Sequence, residues 1–169
     1  MTILETERLL LRELTTDDAR FIFELLNEPS FIRNIGDRHI RTLDDACAYI
    51  LNGPVKSYEK NGFGLYLIVL RETNESIGMC GLIRRENLED VDIGYALLPR
   101  YWSKGYAVEA ARATKAYAKD VAGLKRIVAI VDPTNEASMR VVEKLGFCYE
   151  KMVRLSADDI ELKLFGVEL

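Results

Sequence analysis

Residues 94–111 read Gly94-Tyr95-Ala96-Leu97-Leu98-Pro99-Arg100-Tyr101-Trp102-Ser103-Lys104-Gly105-Tyr106-Ala107-Val108-Glu109-Ala110-Ala111. The pattern predicts a buried strand, then a tight basic turn that contains Gly105, and then an alanine-rich helix. This order brings unpaired backbone N–H groups, the Lys104 ammonium and the positive end of a helix dipole to one place. The stretch therefore predicts a binding site for a phosphate or a pyrophosphate.

The composition, with 49% hydrophobic and 30% charged residues in 169, is typical of a globular protein with one buried core. We expect one domain over residues 1–169. The net charge of −4 argues against a nucleic-acid partner. No apolar run could span a bilayer and no secretory signal is visible, so we expect a cytoplasmic protein with no membrane partner. The 3 cysteines and the single histidine are scattered, so we expect no metal site.

The rest of the chain alternates between predicted strands and helices. Strands are predicted over residues 8–12, 63–71, 76–84, 91–98, 126–131, 147–153 and 159–169. Helices are expected from Thr16 to Pro29, from Thr42 until Gly53-Pro54 breaks or kinks the helix, from Tyr106 to about Val121, and from the Asn135 cap to Gly146. This order predicts a mixed sheet with helices on both faces.

Several well-known phosphate and nucleophile motifs are absent from the chain. It has no nucleoside triphosphate P-loop, no dinucleotide-binding G-x-G-x-x-G between a strand and a helix, and no nucleophile elbow. Instead, Trp102-Ser103-Lys104-Gly105-Tyr106-Ala107 resembles the pyrophosphate loop of the GNAT superfamily of acetyl-CoA-dependent N-acetyltransferases. More narrowly, it resembles the RimJ/RimL-like branch, the ribosomal-protein-alanine N-acetyltransferases and their relatives.

Three further segments resemble the same branch in the same order. They are Glu5-Thr6-Glu7-Arg8-Leu9-Leu10-Leu11-Arg12, Asp92-Ile93-Gly94-Tyr95, and Asn135-Glu136-Ala137-Ser138 followed by Glu143-Lys144-Leu145-Gly146-Phe147. The resemblance implies an α/β fold with a mostly antiparallel sheet of six to seven strands, about four helices, and strands that splay at the acyl-CoA site. The chain departs from the superfamily at Trp102, where Gln or Arg is usual, and at Ser103, where Gly is common. We expect ordinary backbone angles at Ser103.

The resemblance also implies direct transfer of an acetyl group from acetyl-CoA to an amine. Backbone N–H groups from Ser103 to Val108 would hold the pyrophosphate, and those near Leu97 and Leu98 would polarise the thioester carbonyl. The residues implied to bind the coenzyme are Leu97, Leu98, Trp102, Ser103, Lys104, Gly105, Tyr106, Ala107, Val108 and Asn135.

Ser138 and Asp92 are the residues expected to act in catalysis. By resemblance, Ser138 donates a proton to the departing thiolate, while Asn135 contacts the coenzyme and is equally a good N-cap. Asp92 shares a strand face with Gly94, and burial would raise its pKa toward that of a base; a salt-bridged carboxylate is the alternative. We expect Glu109 to be mainly structural, whereas His39 is either a substrate contact or incidental.

The sequence leaves the amine acceptor open. A protein N-terminus, as in the RimJ/RimL branch, competes with a small amine such as a polyamine, an amino acid or an antibiotic. A different class of function, a module that binds acyl-CoA without turnover, is the further alternative. A monomer and a homodimer are both compatible with the sequence.

Overall fold

Eight strands form one sheet in a computed structural model that describes residues 1–169. They are β1 (Thr2–Glu5), β2 (Leu9–Arg12), β3 (Leu65–Leu70), β4 (Ser76–Ile83), β5 (Asp92–Leu97), β6 (Arg126–Val131), β7 (Cys148–Val153) and β8 (Leu162–Glu168). The strand order is β1-β2-β3-β4-β5-β6-β8-β7, and every neighbouring pair is antiparallel except β5 with β6. The expected mixed, mostly antiparallel sheet is confirmed. The additional strand is β1, a short edge strand whose few residues carry little alternation.

Six α-helices accompany the sheet. They are α1 (Ala19–Leu26), α2 (Pro29–Asn34), α3 (Leu43–Ile50), α4 (Lys56–Asn61), α5 (Tyr106–Asp120) and α6 (Glu136–Lys144). Residues 66–69 of β3 and 77–82 of β4 are buried without interruption. Successive strand side chains point to opposite faces, so both faces of the sheet are covered, as expected. None of the helices combines the length and the hydropathy that crossing a bilayer requires.

The prolines act differently from what the sequence suggested. Pro29 does not simply end α1, because it occupies the first turn of α2, where a missing N–H costs nothing. Of the break or kink expected at Gly53-Pro54, the structure shows no break, although the regular α-helix is interrupted there. A π-helical turn over Leu51–Val55 carries the chain from α3 directly into α4, and this wider turn accommodates the proline inside a continuous helical path.

Helix α5 packs closely on the sheet through small side chains. Ala110, Ala111, Thr114 and Ala118 are buried, and the Thr114 hydroxyl lies 3.3 Å from Cys80 Sγ on β4. Enlarging Ala111 to Leu would lift the helix from the sheet, which typically costs about 1–3 kcal/mol. The small residues therefore fix the position of the α5 N-terminus relative to β5.

The sheet opens between β5 and β6. These parallel strands pair only at Asp92 with Val128, where Val128 N–H donates to Val91 O at 3.0 Å. Beyond that point β6 stays paired with β8 along its whole length, whereas the second half of β5 has no partner on that side. The expected splay is thus present, and it opens toward the end of β5 from which the chain enters the loop before α5.

Candidate active site

The loop between β5 and α5 has the backbone geometry of an anion-binding concavity. Ser103 and Gly105 have positive φ angles, +60° and +82°, and are separated by Lys104, whose φ is negative. Alternation of this kind turns consecutive N–H groups toward one point. The first helical bond runs from Glu109 N–H to Gly105 O at 3.1 Å, and the N–H groups from Ser103 to Val108 donate to no other group of the protein. We call residues 103–108 the phosphate cradle.

The expectation of ordinary backbone angles at Ser103 is wrong. Its φ of +60° lies in the left-handed region, the region that the family's usual glycine adopts without steric cost. The loop path is imposed by its two ends, the close packing of α5 and the left-handed Gly105. Serine therefore follows the path of a glycine at some conformational cost.

Two charged residues outside the loop hold it in place. Glu109, on the first turn of α5, accepts hydrogen bonds from Thr6 Oγ1 (2.6 Å), Arg8 N–H (2.9 Å) and Arg8 Nε (2.6 Å). Partial burial alone would raise the pKa of Glu109, but these bonds outweigh it and hold the pKa below its usual value. The structural role expected for Glu109 agrees with this geometry.

Arg8 is the residue that sequence reasoning missed. Its Nη1 donates to Lys104 O at 2.8 Å, and its guanidinium lies 4.5 Å from the centre of the Tyr106 ring. A Cβ added to Gly105 would come within 3.2 Å of Arg8 Nη2. The guanidinium therefore adjoins the phosphate cradle and adds a positive charge there. An open cavity of about 460 Å³ begins at this point and extends toward Arg112 and Lys144.

The exposed edge of β5 offers one of the two expected N–H donors. Leu98 N–H donates to Ile77 O on β4 at 2.9 Å, so the expectation that Leu98 supplies a free donor is wrong. Backbone groups alternate between the two edges of an antiparallel strand, and the N–H and C=O of Leu97 therefore face the splay. The Trp102 indole N–H donates to Leu97 O at 3.0 Å, which ties the first loop residue to this edge.

Ser138 lies across the splay from β5, at the start of α6. Asn135 is the N-cap of α6, and its Oδ1 accepts from Ser138 N–H at 3.2 Å. The Ser138 hydroxyl is 2.6 Å from the hydroxyl of Tyr95, a β5 residue. Burial raises the pKa of Tyr95 to about 12, although the bond to Ser138 acts in the opposite direction, so this phenol stays protonated at neutral pH.

Asp92 lies at the vertex of the splay, in the single residue pair that joins β5 to β6. It is 1% exposed, and its Oδ1 is 3.1 Å from Arg85 Nε, so it is the salt-bridged carboxylate that the sequence allowed. Burial nevertheless raises its pKa to about 6, because the Arg85 charge offsets only part of the desolvation. Since Asp92 and Tyr95 are three residues apart on one strand, they face opposite sides of the sheet. The structure therefore does not place Asp92 beside Ser138.

His39 makes no contact with the residues around the splay that the structure records. The His39 imidazole is 82% exposed and has Asp37 as its nearest carboxylate, with 3.8 Å between Nδ1 and Oδ2. No three His, Cys, Asp or Glu side chains are arranged to hold a metal ion.

Comparison with known proteins points to one family. Residues 8–148 match the family model described as the acetyltransferase (GNAT) domain. The chain is 34% identical over 153 residues to the N-acetyltransferase YoaA of Bacillus subtilis, covering 90% of this chain and 86% of that protein. An acetyltransferase structure from Agrobacterium tumefaciens superposes with a TM-score of 0.84 at 26% identity, covering 99% of this chain and 94% of that one.

A structure of the alpha-N-protein acetyltransferase RimL in complex with coenzyme A has the same fold. It superposes with a TM-score of 0.84 at 18% identity, over 100% of this chain and 98% of that one. The GNAT family model covers most of the length of this chain. The chain belongs to the GNAT family and is an acetyltransferase whose acyl donor is acetyl-CoA.

Proposed function

We propose that the chain acts as one domain over residues 1–169 and transfers the acetyl group of acetyl-CoA directly to a primary amine, with a protein N-terminal amine as the acceptor. The observation that carries the proposal is the phosphate cradle, whose unpaired N–H groups lie at the mouth of the splay with Lys104 and Arg8 beside them. Partial positive charges at a helix N-terminus favour a diphosphate, and the cations strengthen that preference.

The residues around the splay suggest how the reaction proceeds. The amine nitrogen attacks the thioester carbon, a C–N bond forms, the C–S bond breaks, and its electron pair leaves with sulfur. The N–H of Leu97 at the open edge polarises the carbonyl oxygen. Asp92 takes the amine proton directly or through water, and Ser138 donates to the departing sulfur. Ser138 lies beside Tyr95, whose side of β5 is opposite to that of Asp92, so the two proton-transfer roles fall on different sides of the strand.

The charges near Asp92 favour an acceptor with a single positive charge. Burial raises the pKa of Tyr49 while the charges of Arg38 and Arg85 act in the opposite direction, so both cations lie near this hydroxyl. Arg85 also neutralises Asp92 in part. A polyamine would bring several positive charges toward these arginines, whereas a peptide N-terminus brings one. We therefore place peptide amines ahead of polyamines.

A thiol-release assay tests the function and the acceptor together. Acetyl-CoA is supplied with peptides of free and blocked N-terminus, with spermidine and with amino acids. We expect turnover with the free peptides, none with the blocked ones, and at most slow turnover with spermidine. Faster turnover of spermidine would contradict the proposed acceptor, and binding of acetyl-CoA without turnover of any amine would favour a sensor.

Gly105→Glu tests the phosphate cradle. The new carboxylate would enter the cradle and repel the diphosphate, and we expect calorimetric binding of acetyl-CoA to be lost. Gly123→Glu is the matched control, because Gly123 also has a positive φ, +68°, and a side chain there would meet nothing within 4 Å. The control bears the same backbone strain and keeps its affinity. Equal affinities of the two variants for acetyl-CoA would refute the assignment of residues 103–108 as the diphosphate site.

A further inference from the structure

Tyr95 on β5 contacts Ser138 across the splay. The proposed reaction assigns a role to Ser138 but none to Tyr95. Tyr95 projects from β5 on the side of α5, since its cross-strand neighbour Cys80 contacts Thr114 of that helix. Its hydroxyl lies 2.6 Å from Ser138 Oγ, a contact in which either hydroxyl can be the donor, and it donates to Ser138 O at 3.1 Å. One phenol therefore reaches both the side chain and the backbone of the serine.

The direction of the shorter bond decides what Ser138 can do. If Ser138 donated to Tyr95, its only proton would be occupied and none would be left for sulfur. A phenol is a far stronger acid than an aliphatic alcohol, so the phenol is the better donor and the serine oxygen the better acceptor. The shorter of the two contacts, to Oγ, is within the usual range for O–H···O bonds. Tyr95 then shares its single proton between Ser138 Oγ, the nearer acceptor, and Ser138 O, and the Ser138 proton is free to turn toward the splay.

We propose that Tyr95 is a positioning residue that donates to Ser138 Oγ and directs the serine proton at the sulfur of coenzyme A. This inference rests on the proposed function, because it concerns the departure of the thiolate. As the C–S bond breaks, sulfur takes the electron pair, Ser138 donates a hydrogen bond to it, and Tyr95 strengthens that bond by polarising Oγ. The high pKa of Tyr95 keeps its proton in place, so it shares this proton without giving it up. The amine proton leaves on the Asp92 side, and the thiolate is protonated when it reaches water.

The first test is a double-mutant cycle of Tyr95→Phe and Ser138→Ala with acetyl-CoA and a peptide amine. We expect kcat to fall about tenfold in Tyr95→Phe, the usual effect of one hydrogen bond, and about 100-fold in Ser138→Ala, with KM for acetyl-CoA unchanged in both. The double variant falls no further than Ser138→Ala, because Tyr95 acts through that serine. Tyr66→Phe is the matched control: Tyr66 pairs with Cys80 on the same face of the sheet and keeps wild-type kcat.

The second test uses acetyl-seleno-CoA, whose selenolate leaves with less need of a proton donor. Both variants regain most of the wild-type rate with this donor if the pair serves the leaving group, whereas a packing defect would persist. Additive losses, a Tyr95→Phe enzyme as fast as wild type, or the absence of rescue would overturn the inference. In each of these outcomes the wild-type enzyme still acetylates the peptide, so the proposed function stands. A wild-type enzyme that turns over no amine ends both proposals.

Discussion

At the level of single residues, Ser103 combines a conformational cost with a place in the cradle. Its left-handed backbone would be a clear outlier for a β-branched side chain. We expect Ser103→Val to lower the free energy of unfolding by about 2 kcal/mol and to weaken acetyl-CoA binding, because the loop must leave its path. Urea unfolding and calorimetry measure the two effects.

Asn74→Val separates strain from function in that experiment. Asn74 has the same φ, +60°, in the turn between β3 and β4, outside residues 103–108. The control should lose similar stability and keep its affinity for acetyl-CoA. Wild-type affinity in Ser103→Val would show that the cradle does not depend on this backbone path.

Asp92 gives the reaction a pH dependence. Its pKa of about 6 means that the carboxylate form, the one able to accept a proton, becomes dominant as pH rises through 6. We expect kcat/KM to increase as pH rises through this value. Asp92→Asn should lose about 100-fold in rate and should also lose this rising limb of the pH–rate profile. Asp90→Asn, which disturbs only the ion pair with Arg126, is the control and retains the limb.

The same shift predicts a change in stability with the opposite sign. The pKa of Asp92 is higher in the folded than in the unfolded chain, so the folded state binds more protons between the ordinary carboxyl pKa and about 6. The contribution of Asp92 to stability is therefore present below this window and is lost as pH rises through it. Denaturant unfolding of wild type and Asp92→Asn across these pH values measures the difference, which should grow in favour of the variant.

At the level of elements, the N-terminal turn and α5 work as one unit. Arg8 joins the Glu109 side chain to the Lys104 carbonyl. We expect Arg8→Gln to raise KM for acetyl-CoA about tenfold, since one charge-assisted bond to the loop is lost. Acetyl-pantetheine, which has no diphosphate, should be used as efficiently by the variant as by wild type.

A remote arginine controls for the loss of charge. Arg41 forms an ion pair of 2.6 Å with Asp37, comparable to the Arg8–Glu109 pair, in a loop far along the chain from the cradle. Arg41→Gln should leave both donors unaffected. A loss of efficiency with acetyl-pantetheine in Arg8→Gln would instead indicate general damage to the fold.

The sequence predicted those parts of the site whose signals are local. Lys104-Gly105 before an alanine-rich run was sufficient to predict the turn, the helix and the small residues that pack it on the sheet. The Arg8–Glu109 contact was not predictable, because it joins residues 101 positions apart and no periodicity links them. The N–H of Leu98 was misassigned because only the strand register shows which edge each residue faces. At Ser103, the tertiary path overrode the local preference of the residue.

At the level of the whole molecule, the unpaired groups at the splay predict which amides respond to the coenzyme. We expect amide exchange, followed by NMR, to slow at Leu97 and at residues 103–108 when coenzyme A is added, because these N–H groups gain acceptors. Leu98 provides the internal control, since its N–H already donates to Ile77. Protection of Leu98 without protection of Leu97 would contradict the assigned edge.

The single residue pair between β5 and β6 has a mechanical consequence. It divides the sheet into two plates that meet at a hinge of Asp92 and Val128, and the smaller plate of β6, β8 and β7 shares its side of the hinge with α6 and Ser138. A coenzyme arm bound along the free edge of β5 would contact both plates and hold them together. Binding of acetyl-CoA would then set the distance between Ser138 and the thioester sulfur. Release of coenzyme A would require the two plates to move apart.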